Sequence, residues 1–240
     1  MLIHPFFFKL YRVGPDNEPI SFLGSAFPVR PNGGMLTCRH VVDVELKDGE
    51  SICLLDNGKG RRLIEVQERA YSSDPTFDIC FLPDALGREA DEYFPILPPD
   101  EIRMGKDVYS FGSFVSDGSM TSTQEGYFKG NIVSVNQPSA RTAPALTLSY
   151  PIIEGLSGSP VLTYHNGPKI VGLAFGSISS RVTASEVLEY EDDRVRLRET
   201  VLRVIEFGLA YGSDALMRLD SELGIGLTVT ADRAGISGLE

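Results

Sequence analysis

Ser157 stands in the run Gly155-Leu156-Ser157-Gly158-Ser159-Pro160-Val161-Leu162, between two glycines and ahead of an apolar strand. Glycine reaches backbone angles closed to residues with a Cβ. A turn of this kind pushes the serine hydroxyl outward while nearby main-chain N–H groups converge. Acyl transfer needs both an exposed nucleophile and preorganised donors for the developing oxyanion. Gly and Ser are also ordinary turn residues, so the motif takes its meaning from what lies upstream. Of three histidines, His40 ends the run Met35-Leu36-Thr37-Cys38-Arg39-His40, where a strand enters Val41-Val42. Alone it reads as a half-buried structural histidine. Asp78 precedes Ile79-Cys80-Phe81-Leu82 and alone reads as a turn or cap aspartate. His4 and His165 have no comparable setting.

Taken together, His40, Asp78 and Ser157 follow one of the known chain orders of a catalytic triad. A serine hydroxyl is a poor nucleophile until an imidazole takes its proton. A carboxylate then holds that imidazole's tautomer and stabilises its cation. Each of the three residues sits where a strand meets a loop.

The elements that must position them are short apolar runs broken by Gly, Pro, Asn and Asp. Strands are expected at Ile20–Val29, Met35–Val44, Ser51–Asp56, Arg62–Arg69 and Asp78–Leu82, then at Asp107–Phe111, Thr121–Asn136, Ala145–Tyr150, Ser159–Tyr164 and Lys169–Phe175. His165-Asn166-Gly167-Pro168 is a hairpin signal. Phe94-Pro95-Ile96-Leu97-Pro98-Pro99-Asp100 reads as an extended connector between two halves. Glu186–Glu199 is densely charged and reads as an exposed loop or short helix, followed by strand-like Thr200–Ala210. Ser213 is the expected N-cap of a terminal helix, and Thr228–Glu240 reads as a mobile tail. The resulting organisation is residues 1–93 with His40 and Asp78, a connector at 94–106, residues 107–225 with Ser157 and the helix, and a tail at 226–240.

Composition narrows the function classes. At 240 residues and 42% hydrophobic content the chain can bury a sizeable core. Its net charge of -11 repels nucleic-acid backbones and anionic membranes, and Lys59-Gly60-Arg61-Arg62 reads as solvated turn. No apolar run reaches membrane-spanning length, and the N-terminus does not read as a secretory signal. Cys38, Cys53 and Cys80 form neither a disulfide framework nor a zinc pattern, so no metal or cofactor is expected and a reducing, cytoplasmic setting fits. Cys38 and Cys80 read as small packed residues, each on the face of its neighbouring candidate.

The motifs Gly24-Ser25-Ala26-Phe27, Leu36-Thr37-Cys38-Arg39-His40-Val41-Val42, Asp78-Ile79-Cys80-Phe81-Leu82 and Gly155-Leu156-Ser157-Gly158-Ser159-Pro160-Val161 resemble a chymotrypsin-fold (trypsin-like) serine protease of the intracellular, disulfide-free branch. The resemblance covers about residues 20 to 220. It implies an all-β fold of two antiparallel β-barrels with a short C-terminal helix. It also implies His40 as general base, Asp78 as orienting carboxylate, Ser157 as nucleophile, and the N–H groups of Gly155 and Ser157 as oxyanion hole. Secreted relatives carry an aspartate where Leu156 stands, so activation by N-terminal clipping is not expected. Ser159 replaces a usual glycine, a change expected to be tolerated. No appended peptide-binding domain is expected.

In the resembled fold the specificity pocket would be lined by Pro151 and Ile152 and by Ala174 and Gly176. Neither segment is charged, which implies cleavage after uncharged residues. Glu154 and the acidic run Glu189 to Asp193 are the nearest groups able to reverse that preference. The partner is then a polypeptide substrate, with a regulatory protein or loop expected to restrain the site. The alternative is a catalytically idle barrel used as a binding module, since fold does not fix function. An esterase of another fold would need a helix after the serine, where Pro160–Tyr164 reads as strand.

Overall fold

The structure, a computed structural model, describes residues 7–56, 62–87, 90, 93–115, 122–136, 145–164, 166–191 and 194–230; of 187–191 and 194–199 it describes the backbone. The chain order is β1 (Phe8–Val13), β2 (Pro19–Pro28), β3 (Met35–Cys38), α1 (Arg39–Val42), β4 (Ser51–Asp56), β5 (Arg62–Glu65), β6 (Ala70–Tyr71) and β7 (Ile79–Leu82). It continues with β8 (Asp107–Val115), β9 (Thr123–Asn136), β10 (Ala145–Leu148), β11 (Pro160–Tyr164), β12 (Pro168–Glu191), β13 (Arg194–Gly212) and α2 (Ser213–Leu223). The protein is all-β in two antiparallel units, with one helix of appreciable length among the described residues. The first unit is a half-barrel-like seven-stranded sheet ordered β5-β4-β1-β2-β3-β7-β6. The second is a closed barrel ordered β10-β13-β12-β11-β8-β9.

β3 and β7 are buried along their whole length, and neither strand alternates apolar with polar. Such strands lie inside the protein rather than on its surface. One core cluster joins them (Leu36, Cys38, Ile79) to the barrel (Leu162, Leu173, Tyr211) and to α2 (Leu216, Leu219). It therefore straddles the two units. A second cluster, including Val108, Leu148, Leu156 and Val161, fills the barrel.

Four local expectations change. Met35–Val44 is not one strand, because α1 begins at Arg39 and takes His40 onto a helical turn; four residues are too few to print a helical period. Glu186–Glu191 and Arg194–Glu199 are strand: β12 and β13 continue beyond the barrel as a two-stranded ribbon, paired from Ser177↔Gly208 to Glu191↔Arg194. The alternation Arg194-Val195-Arg196-Leu197-Arg198 has the period of a strand, which the charge density masked. Ser213 is not the N-cap; Gly212 holds that position, and Ser213 Oγ is buried without a partner.

The fourth change concerns the segment after α2. Gly224 ends the helix in the left-handed conformation, at φ 65°. Asp220 Oδ1 then accepts from the N–H groups of Gly226 (2.6 Å) and Leu227 (3.3 Å). Residues 228–230, expected to open a mobile tail, bond to Ile96 through Thr228 O (2.7 Å) and Thr230 N (3.0 Å). The rest of the expected tail, 231–240, lies outside the described residues, as do His4, His165 and the basic turn at 59–61. The proline-rich connector is pinned likewise. Ile96 and Leu97 are buried, which stabilises by about 1.5–3 kcal/mol each. No helix among the described residues is long and apolar enough to cross a membrane.

Candidate active site

Strand register builds the first half of the site. Cys38 pairs with Ile79, so the residues just beyond, Arg39 and Asp78, also face each other, and Arg39 N–H donates to Asp78 O (3.2 Å). α1 then turns His40 over the Asp78 carboxylate. The His40 main-chain N–H donates to Asp78 Oδ1 (2.8 Å), and His40 Nδ1 lies 2.5 Å from Asp78 Oδ2. With a carboxylate as acceptor, Nδ1 must carry the proton, and in the neutral imidazole Nε2 then holds a free lone pair. The His40 side chain is 49% exposed and that of Asp78 28%, so the pair is partly open to solvent.

Two successive turns build the second half. Leu156 N–H donates to Ile153 O and Ser159 N–H to Leu156 O, both at 3.0 Å. Gly155 (φ 96°) and Gly158 (φ 85°) each take the third position of a turn, where a positive φ favours glycine. Gly158 has a second constraint, since a Cβ there would lie 1.9 Å from Ser25 O. Ser25 N–H in turn donates to Ser157 O (2.8 Å), and Thr37 Oγ1 donates to Ser25 O (2.7 Å). A Cβ on Gly24 would lie 2.8 Å from both Ser157 O and Val41 Cγ2. The Gly24-Ser25 segment is thus the strut that seats the Ser157 loop against the helix bearing His40.

Leu156 anchors the loop from beneath: it is fully buried in the barrel core. Ser159 is also fully buried, with an unpartnered Oγ, and the space for it comes from Gly112, where a Cβ would lie 2.2 Å from that oxygen. Among the described residues, the N–H groups of Gly155 and Ser157 donate to no protein acceptor. Ser157 Oγ donates to Phe175 O (3.3 Å) and is not hydrogen-bonded to His40. The structure therefore couples His40 to Asp78 directly and brings the Ser157 loop alongside them, with its hydroxyl turned to the β12 main chain.

Of the four expected pocket residues, Ile152 and Ala174 are buried in the barrel core, while Pro151 and Gly176 are half-buried. An added Cβ on Gly176 meets nothing within 4 Å. Ser177 Oγ accepts from Ile152 N–H (2.7 Å) and donates to Ile152 O (3.0 Å), lacing the two expected walls together. Glu154 is exposed.

Cys38, His40 and Asp78 offer ligand atoms all within 4.8 Å of one another. A metal would need the Cys38 thiolate. Burial, reinforced by the nearby Asp78 carboxylate, pushes that thiol well above its ordinary value, and its S–H donates to Ala174 O (3.2 Å). The trio does not suit a cation. Cys80 is pushed by burial up to about 12, and its register partner Thr37 places it on the face of the β3–β7 pair opposite Cys38. Neither thiol is accessible as a nucleophile.

The sequence reading missed the supports of the Asp78 loop, which come from the distant α2 and β13. Glu222 on α2 accepts from Ser73 N–H (2.5 Å) and Ser72 Oγ (2.7 Å). Arg218 pairs with Asp74 (3.3 Å) and lies 4.7 Å over the Phe77 ring. The Ser73 N–H, with the serine hydroxyls, holds the Glu222 carboxyl below its usual range, and the hydrogen bonds from Thr76 do the same for Asp74. A carboxyl depressed in the folded state stabilises above its unfolded pKa, about 4, and loses that contribution as pH falls through the folded value. Glu222→Gln is therefore expected to lower the melting temperature at pH 7. The gap to the wild type should narrow as pH drops below about 4. Thermal melts across pH 3 to 7 check this, and a gap that persists undiminished in acid contradicts it.

The family model described as "Trypsin-like peptidase domain" matches residues 24–173. No curated protein matches the sequence. Among solved structures, a mutant of Rv3671c from M. tuberculosis in an inactive form superposes with a TM-score of 0.57 at 15% identity, covering 95% of this chain and 90% of that one. The HtrA-type protease AlgW, bound to a decapeptide, gives 0.58 at 17% identity, with 93% of this chain and 66% of that one covered. Deg5 gives 0.58 at 14%, with 90% and 87% covered. The fold is thus that of the trypsin-like proteases, and with more than half its length matched by the family model the chain belongs to the trypsin-like peptidase domain family.

Proposed function

We propose that this protein is a serine endopeptidase acting through His40, Asp78 and Ser157. The observation that carries the reading is the doubly bonded His40–Asp78 pair beside a glycine-flanked serine with two unspent N–H donors. A rotation about the Ser157 Cα–Cβ bond would turn the hydroxyl from Phe175 O toward His40. Nε2 then takes the hydroxyl proton as Oγ adds to the scissile carbonyl, and the C–O π pair moves onto the carbonyl oxygen. The Gly155 and Ser157 N–H groups would receive that oxyanion; one such donor is worth about 2.7–4 kcal/mol. Collapse expels the amine, protonated by His40, and water repeats the cycle on the acyl-enzyme. Asp78 stabilises the transient imidazolium.

A covalent serine-hydrolase probe tests this reading, with labelling of one serine per chain expected. The hydrogen bond from Ser157 to Phe175 O favours a second reading, an idle barrel serving as a binding module. Absence of labelling on folded protein would decide for that reading. Three unpaired thiols support a reducing, cytoplasmic setting, and a regulatory partner that turns the Ser157 hydroxyl toward His40 is part of the proposal.

Specificity follows from the same site. Pro151, Ile152, Ala174 and Gly176 bring no charge, and a charged side chain left unpaired among them would be costly. Cleavage is expected after aliphatic or aromatic residues, by at least about tenfold over Arg, Lys, Asp or Glu, a difference of 1.4 kcal/mol or more. Profiling on a peptide library by mass spectrometry checks it. Dominant cleavage after Arg or Lys would place a carboxylate, from Glu154 or the acidic 189–193 run, in the pocket.

A further inference from the structure

Tyr211 lies at the end of β13, far in sequence from each candidate catalytic residue, yet it touches the supports of both halves of the site. Its hydroxyl accepts from the Asp78 main-chain N–H (3.1 Å) and donates to Thr76 O (3.4 Å). Its ring stacks on Phe175 with centroids 4.3 Å apart at 27°. On the other side Phe77, the neighbour of Asp78, lies nearly parallel at 5.9 Å and 12°. Phe175 O is the acceptor of the Ser157 hydroxyl. One side chain, 4% exposed, therefore bridges the main chain that carries Asp78 and the residue that holds Ser157.

We propose that Tyr211 is a positioning residue that sets the distance and orientation of the His40–Asp78 pair relative to Ser157. The inference rests on the hydrolase reading above and deepens it. Rigidity is the reason a tyrosine suits the place. Asp78 belongs to the first unit and Ser157 to the second, so any slip between them misaligns the hydroxyl and the imidazole. A misplacement of about 1 Å at such a site costs on the order of 10²-fold in rate. A phenol locked between two rings has little rotamer freedom, and its hydroxyl both satisfies the Asp78 N–H and anchors to Thr76 O. Burial, with the Asp78 carboxylate adding to it, raises the phenol above its ordinary value against the pull of the Asp78 N–H, so the hydroxyl stays neutral and keeps its proton for Thr76 O. Gly172 lets β12 run close against the Tyr211 main chain, since a Cβ there would lie 2.2 Å from Tyr211 O.

The test is Tyr211→Phe, which keeps the rings and removes only the hydroxyl. We expect kcat to fall about tenfold with KM within twofold, an effect of the size of one lost partly buried hydrogen bond. In the Asp78→Asn background the same substitution should change kcat by less than twofold, because the two act through one pathway. An independent readout needs no turnover. In the Ser157→Ala protein, the His40 Nδ1 proton, held by Asp78, should resonate far downfield by NMR, and Tyr211→Phe should shift or broaden it.

A lowered melting temperature with unchanged kcat and an unchanged proton signal would reduce Tyr211 to a structural role and overturn the proposal. Full additivity with Asp78→Asn would overturn it too. Should Tyr211→Phe not fold, Phe175→Leu, which removes the closer ring, must perturb the same proton, and an unperturbed signal is again fatal. If the wild type proves unable to hydrolyse peptides, the hydrolase reading fails, while the NMR comparison still decides whether Tyr211 governs the His40–Asp78 pair.

Discussion

Ser157→Ala is expected to abolish covalent labelling and to lower peptide hydrolysis by about 10³-fold or more, while the melting temperature stays within about 2 °C of the wild type. The two outcomes have separate causes. Chemistry is lost because no other described serine combines a glycine-bounded turn with a neighbouring histidine–carboxylate pair. Stability is kept because the Ser157 side chain makes only the 3.3 Å bond to Phe175 O. Its loop is held by other groups: Ser25 N–H on Ser157 O, Gly158 N–H on Ala174 O (2.8 Å) and the buried Leu156. Ser159 is the nearest alternative nucleophile, but its fully buried oxygen has no route to a substrate. Peptide mapping of the labelled wild type and probe treatment of the variant check the assignment. Undiminished labelling of Ser157→Ala sinks it.

The features readable from the sequence are those set by local chemistry. Gly155 and Gly158 announced the turns around Ser157 because a positive φ leaves a composition mark. The runs Met35–Val44 and Asp78–Leu82 announced strands because apolar residues dominate both, although the first strand ends at Cys38. The pairing between them was not legible, although that register places Asp78 under His40; pairing partners follow from global topology rather than from either run. Leu156 shows the same limit. Its apolar type excluded an ion pair, but its role as an anchor in the barrel core needs the barrel.

Where local signals were weak, packing made the decision. α1 is shorter than any helical period, and what starts it is the turn of the chain at the end of β3. The ribbon of β12 and β13 was hidden because charge suggested solvent-exposed irregular chain. Backbone pairing tolerates charge when both faces of a ribbon are wet, and Val182, Leu202 and Val204 are indeed exposed along it. Thr228 to Thr230 carry no pattern of their own and are ordered only because Ile96 offers a main-chain edge. Tyr211, Arg218 and Glu222 support the Asp78 loop across more than 130 residues of chain, with contacts that no spacing rule reaches.

Asp78→Asn is expected to lower kcat by about 10³–10⁴-fold at neutral pH with little change in KM or fold. The direction follows from hydrogen-bond roles. Asp78 Oδ1 accepts from the His40 main-chain N–H, and Oδ2 accepts from Nδ1. An asparagine has one acceptor oxygen and one donor NH₂ to fill both places. If the oxygen faced Nδ1, the NH₂ would confront the His40 main-chain N–H, donor against donor, with no partner for either. The oxygen therefore keeps the main-chain bond and the NH₂ faces Nδ1, which must become an acceptor. The imidazole proton then moves to Nε2, the nitrogen that should receive the Ser157 proton, and the general base is lost in its neutral form. The same exchange removes the negative charge that stabilises the imidazolium in the transition state. The Asp78 carboxylate is spent on His40, so KM is expected to hold, and the retained main-chain bond keeps the loop in place. Steady-state kinetics at pH 7 with a library-selected peptide provide the measurement, and NMR of the Asn variant should show the His40 ring proton transferred from Nδ1 to Nε2. A variant that keeps more than about a tenth of wild-type kcat would show that the His40–Asp78 pair does not serve the reaction, and the triad assignment would have to be abandoned.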